Sequence, residues 1–202
     1  MTRRKAKPRE TVSRRDILDA AAHLFRTRGY HATSMGDIGK AVGLLGPSLY
    51  YYVESKEELL YEIVEASTRG LLSGIHEVSR ANAAAADRLR AAILHHFRFS
   101  AERLDYAVVF LNEISNLRDA HMRRALLQLT KHYEESFCRI LEDGVAAGEF
   151  RKGLNVKVAA YSILGILNWA LRWFRPDGPL SVEQIADEFV ALAIDGLRPR
   201  PG

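Results

Sequence analysis

The 202-residue sequence predicts an all-α fold of about nine helices: an N-terminal three-helix helix-turn-helix domain followed by a larger C-terminal helical domain. Three observations carry the fold class. Apolar residues recur at three- and four-residue spacing, the period of a helix with one buried face. Capping pairs mark helix starts at Ser13/Asp16, Ser34/Asp37, Ser55/Glu58 and Ser181/Gln184. No stretch alternates apolar and polar as a half-buried strand would, and no repeat of about 20–50 residues is visible.

Residues 1–12 carry Arg3, Arg4, Lys5, Lys7 and Arg9 without an apolar anchor, and are expected to form a disordered basic arm. The first helix follows the Ser13 cap, places Ile17, Leu18, Ala21, Leu24 and Phe25 on one side, and stops at Gly29. Ser34 opens a second helix with Ile38 and Val42 inward, and Gly43 is a left-handed stop. Gly46-Pro47 opens a third, expected to reach Val53, with proline where its missing N–H costs nothing. This helix carries Tyr50, Tyr51 and Tyr52. Three consecutive residues sweep about 200° of a helix, so they cannot all be core.

From Lys56 a longer helix presents Leu59, Leu60, Ile63, Val64 and Leu71, fading near Arg80. Further helices are expected over 87–102, 105–115 and 119–147, the last ended by Gly148. Asn155 starts an eighth, which ends before Pro176-Asp177-Gly178-Pro179. The Ser181 cap starts the ninth, and Pro199–Gly202 is a tail.

Two short helices joined by a glycine turn, the second bearing exposed polar aromatics, describe a helix-turn-helix. The run resembles the DNA-binding domain of the TetR family of one-component transcriptional regulators. The match rests on Phe25, Gly29-Tyr30, Ala32-Thr33-Ser34, Asp37-Ile38, Gly43-Leu44, Ser48-Leu49-Tyr50, Tyr52 and Ser55-Lys56-Glu57-Glu58-Leu59. It covers about the first 65 residues. Three positions depart from the pattern: Leu45 where a capping serine is common, Gly46 where a polar base reader often stands, and Gly36 where arginine is frequent. The operator sequence is therefore left open.

The resemblance implies a homodimeric regulator of double-stranded operator DNA. On it, Ser48, Tyr50, Tyr52 and Lys56 meet phosphates while Gly46, Pro47 and Tyr51 approach bases, and Ser34 belongs to the same DNA-binding set. Lys56 also sits at a helix N-terminus, where backbone N–H groups favour phosphate. Tyr51, an apolar ring with one hydroxyl, suits a thymine methyl or a sugar. The resemblance further implies a body, residues 57–202, that binds a small effector. Two stretches, 110–137 and 167–181, resemble members that sense acyl-CoA thioesters, which makes such a thioester one candidate for a small apolar effector.

Charge agrees with one basic end. Residues 1–56 hold 11 Lys+Arg against 5 Asp+Glu, whereas the rest of the chain is slightly acidic. A solvated basic tail would look the same on composition alone. The most apolar stretch, 156–174, is interrupted by Lys157, Asn168 and Arg172, so no membrane span is expected. One cysteine, Cys138, allows no internal disulfide, and no apolar leader is seen, so a cytoplasmic location is expected.

The eighth helix is apolar on more than one side, and Ala159, Ser162 and Gly165 form a small-residue edge where a partner helix could approach. With Phe189 these residues make the expected dimer interface. Phe97, Phe110, Tyr133, Trp169 and Trp173 are the candidate effector-binding residues; each would equally serve as plain core. The seven histidines assemble no metal site: His95 and His96 point about 100° apart, and His121 and His132 lie about 16 Å apart along one helix. No cofactor is expected and nothing supports catalysis. Two other readings stay open: an architectural or division-control factor of this fold without an effector, and an all-α enzyme carrying a borrowed reader.

Overall fold

One helix, Lys56–Arg80, packs against four others and belongs to both apolar cores of the protein. The structure is a computed structural model and describes residues 12–199. The expected basic arm, apart from Val12, lies outside the described residues, as do the last three of the chain. Among the described residues there are nine α-helices and no strand. They are α1 Arg14–Arg28, α2 Met35–Ala41, α3 Gly46–Leu49, α4 Lys56–Arg80, α5 Ala85–Glu102, α6 Leu104–Glu113, α7 Ala120–Ala146, α8 Val156–Ala170 and α9 Val182–Leu197, with a 3-10 turn at Ile114–Asn116 after α6.

The start signals act as local chemistry requires. Ser13, Ser34 and Ser181 each accept the N–H of the third helical residue, whose side chain returns to the cap backbone. Where a local cap is missing, another element supplies one. Ala84 has no capping side chain, and the Glu149 carboxylate accepts the N–H groups of Ala85 (2.9 Å) and Ala86 (3.0 Å). That remote cap starts α5 two residues before Asp87, and it holds Glu149 below the usual carboxylate range.

The first core gathers α1, α2, Leu49 of α3 and the first half of α4. Tyr106 and Val109 of α6, Leu117 after the 3-10 turn and Leu126 of α7 close it from the other side. The reader's apolar core therefore does not stop at residue 56. The second core lies among α4 to α9, with Phe97 stacked edge-on against Phe174 and Phe189. No described helix is long and apolar enough to cross a membrane.

Close approach sets one corner of the second core. A Cβ built on Gly144 of α7 would lie 2.2 Å from the fully buried Phe150 ring and 2.9 Å from Ala85. Gly144→Ala should destabilise the protein by about 1–3 kcal/mol through overpacking, against the ~1 kcal/mol that alanine's helix propensity would add. Chemical denaturation measures the balance; a stabilised variant would show that the corner can relax.

Candidate functional site

Three regions matter: the reader surface, a cavity beside α4, and an apolar face on α8 and α9. On the reader, Leu49 and Val53 are buried, which turns the intervening side chains outward. Tyr51 is 88% exposed and Tyr50 56%, while Tyr52 is half-buried with its ring edge-on to Tyr51. Pro47 and Ser48 are exposed as well. The expected helix to Val53 is shorter than anticipated. Only Gly46–Leu49 is helical, and the Tyr52 N–H closes a tighter turn onto the Leu49 carbonyl at 2.9 Å. Leu45 occupies the cap position, 80% exposed, and offers no oxygen to the first N–H groups. Gly43, at φ 73°, makes the turn between α2 and α3.

Ser34 is exposed, but its hydroxyl is engaged in the α2 capping box, donating to Asp37 at 2.5 Å and accepting the Asp37 N–H at 3.1 Å. Lys56 is held more firmly than the sequence suggests. Its ammonium donates to the carbonyls of Tyr30 and Thr33, each at 2.8 Å, and sits 4.3 Å from the Tyr30 ring centre. Of three N–H donors, two are committed to the fold and one is left for a further acceptor. Lys56 thus pins the α1–α2 loop to the start of α4.

Arg14 acts in parallel. Its guanidinium binds Glu58 and Glu62 of α4 and the carbonyl of Tyr52 at the end of the reader turn. Glu58, despite partial burial that opposes ionisation, is held below its ordinary range by the Glu54 N–H and by Arg14. Sequence patterning gave no sign of Arg14, because its partners lie more than 35 positions away.

The α1 helix is tied in turn to α6. Asp105 receives His23 and Arg26, the Tyr106 hydroxyl donates to Asp19 at 2.7 Å, and Glu57 accepts the N–H groups of Arg118 and Asp119 before α7. The reader is clamped to α4, α6 and the start of α7 at once.

Beyond this clamp lies a cavity of about 330 Å³, walled by α4, α5, α6, α7 and α8. Of the five aromatic residues expected at an effector site, Phe110 and Tyr133 line it. The other three lie away from it. Phe97 is fully buried against Phe174 and Phe189, on the core side of α5. Trp169 (63% exposed) and Trp173 (49%) stand on the outer surface, because α8 turns a different face to the cavity.

The cavity wall is instead marked by polar residues at core positions: Ser67 and Thr68 on α4, His96 and Ser100 on α5. His96 is 2% exposed, and its Nδ1 lies 2.7 Å from the Tyr133 hydroxyl. Burial, reinforced by neighbouring His95, pulls the His96 pKa down to about 3, so the ring is neutral near pH 7. The signal was present in the sequence as polar interruptions of the stripes 63–64–67–68–71 and 89–92–93–96–97–100.

On α8 and α9, Val158, Tyr161, Ile166, Trp169 and Leu192 are exposed together with nearby Trp173. Ala159, Ser162 and Phe189 line a groove of about 300 Å³ on this face. Gly165 opens onto space, with nothing within 4 Å of a built Cβ.

With that geometry established, comparison with known proteins is direct. Residues 17–63 match the family described as bacterial regulatory proteins, tetR family, and residues 82–197 match the tetracyclin repressor-like C-terminal domain. The transcriptional repressor KstR2 of Rhodococcus jostii is 30% identical, over 91% of this chain and 90% of its own. The crystal structure of PfmR from Thermus thermophilus, a TetR family regulator, superposes with a TM-score of 0.83 at 36% identity, covering 90% of this chain and 98% of PfmR. The structure of AibR with isovaleryl coenzyme A and operator DNA gives 0.79 at 29% identity, covering 89% and 96%.

The two kinds of reader residue separate by stability. Lys56→Ala strands two carbonyls and should cost the fold about 1–3 kcal/mol, whereas exposed Tyr51→Ala should stay within about 0.5 kcal/mol of the parent. Thermal unfolding of both variants checks this; an unchanged Lys56→Ala would mean water replaces the ammonium freely.

Proposed function

The chain belongs to the TetR family of bacterial DNA-binding transcriptional regulators and is not an enzyme, and on that premise we propose that it is a homodimeric repressor released from a palindromic operator by a small apolar effector. An acyl-CoA thioester is one candidate. Residues 13–56 read DNA, and residues 57–202 bind the effector and dimerise. The observation that carries this reading is the position of α4. One unbroken helix begins at the reader, where Lys56 and Glu58 hold it, and supplies Ser67, Thr68 and Leu71 to the cavity wall.

The exposed reader side chains divide by chemistry. Ser48, Tyr50 and Tyr52 offer hydroxyls to phosphates, Lys56 its remaining N–H, and Pro47 and Tyr51 face the bases. The exposed apolar face of α8 and α9 is the dimer surface, since apolar side chains gathered on one helix pair call for a partner. Ala159, Ser162, Gly165 and Phe189 lie within it. A two-fold dimer matches a palindrome when its readers stand about 34–36 Å apart, one helical turn of DNA. KstR2 of Rhodococcus jostii is a named repressor, and AibR has been solved with both a CoA thioester and operator. Those relatives support the sign of regulation and the effector class. In this chain 330 Å³ accommodates an acyl group and leaves a CoA nucleotide outside.

A ligand that lowers operator affinity a hundredfold must prefer the released form by about 2.7 kcal/mol. Reciprocity then requires operator DNA to weaken effector binding by the same factor. Calorimetric titration of decanoyl-CoA into protein with and without operator tests it; equal affinities would make the ligand a passenger. Gly165→Leu should weaken self-association in sedimentation without unfolding the protomer, because a protomer has room for the side chain and a dimer does not. A wild-type monomer at micromolar concentration would overturn the dimer.

A further inference from the structure

Nε2 of His96 is buried and has no hydrogen-bond partner among the described residues. Unpaired polar atoms in the interior are costly and rare, at about 1–3 kcal/mol each. This one belongs to a ring that forms part of the cavity wall. The Asn168 side chain of α8, also in the wall, stands beside the ring and favours its protonated form, though it makes no hydrogen bond of ordinary geometry to Nε2.

The partner of the other nitrogen decides what Nε2 offers. Burial holds the Tyr133 hydroxyl well above its ordinary pKa of 10, so it keeps its proton. Its one hydrogen-bond partner is Nδ1 of His96, 2.7 Å away. A buried phenol with a single partner satisfies its O–H by donating, so Nδ1 accepts and the imidazole proton sits on Nε2. A fixed N–H donor therefore lies just beneath the cavity surface, beside Asn168. Among the described residues no lysine or arginine lines the cavity, and the one carboxylate in its wall, Glu134, accepts the Tyr161 hydroxyl at 3.1 Å. An anionic group would enter without a cation to meet it and would face Glu134.

We propose that His96 recognises a neutral carbonyl oxygen, that of a ketone, ester or thioester, on an apolar ligand small enough to enter a cavity of about 330 Å³. The proposal rests on the reading of the body as an effector site. It adds the chemical group that is read and the residue that reads it. Free carbonyl compounds and CoA thioesters share that group, and their difference lies outside the cavity.

The test has a part that needs no ligand. Long-range proton–nitrogen correlation spectra of 15N-histidine-labelled protein distinguish the two imidazole tautomers, with His96 assigned by its loss in His96→Gln. The expected result at pH 7.5 is the Nε2–H tautomer, with the Nε2–H signal shifting when 2-decanone is added. An Nδ1–H tautomer overturns the proposal. In calorimetry, 2-decanone and decanoyl-CoA should bind more tightly than decanoate. His96→Phe should weaken 2-decanone binding about tenfold, and His96→Gln, which retains an amide N–H, should restore part of it. Because His96→Phe strands the Tyr133 hydroxyl, the double variant with Tyr133→Phe is measured beside it and should show the same loss. If decanoate binds best, if neither carbonyl probe binds, or if both phenylalanine variants bind 2-decanone as the parent does, the assignment fails. Binding of 2-decanone alone points to a free carbonyl compound, and a preference for decanoyl-CoA adds contacts to the nucleotide outside. Carbonyl binding without any change in operator affinity would contradict the regulatory reading and leave His96 in its role; an Nδ1–H tautomer with intact operator release would do the reverse.

Discussion

The rest of the structure depends on α4 being one continuous helix shared by two cores. Its 25 residues span about 37 Å. Leu59, Leu60, Ile63 and Val64 are buried with the reader, while Leu71 and Ile75 are buried with the body. Both ends are held by polar contacts as well as packing: Lys56 on two loop carbonyls at one end, the Ser79 carbonyl on Arg88 at the other. A helix fixed along both faces moves as a rod. On the proposed reading, a change in the cavity wall at Ser67 and Thr68 would reach the reader as a tilt, because interiors packed this densely resist local absorption of strain. The α1–α6 ion pairs and the Glu57 contacts before α7 make a second connection, so the reader rests on the body through more than one element.

The fold was legible in the sequence because its determinants are local. Helix starts follow from cap side chains three residues from their targets, and buried faces follow from spacing. The places where reading fell short are those where distant residues decide. The α5 start depends on Glu149, and the reader turn depends on Arg14, neither of which any short-range pattern contains. The α3 helix ends early where Leu45 supplies no cap and the chain exposes Tyr50 and Tyr51 in succession.

Three of the five candidate aromatic residues lie away from the cavity for a physical reason. Aromatic side chains at stripe positions are ordinarily core, as Phe97 is, and those off the stripe lie on the surface, as Trp169 and Trp173 do. A cavity inside a helical body is bounded by residues that are buried yet not filled against. The more telling marker is a polar residue where the stripe demands an apolar one, and His96, Ser100, Ser67 and Thr68 all fit it. The exposure of Tyr50 and Tyr51 was easier to read, since they fall between buried Leu49 and Val53.

The central claim is that occupancy of the cavity resets the distance between two readers through α4. Pulsed electron-electron resonance on a spin label at exposed Lys40→Cys, in a Cys138→Ser background, measures that distance in the dimer directly. The account predicts one reader separation with operator bound and a shifted separation when decanoyl-CoA saturates the free protein. An identical distance distribution with and without bound ligand would contradict it.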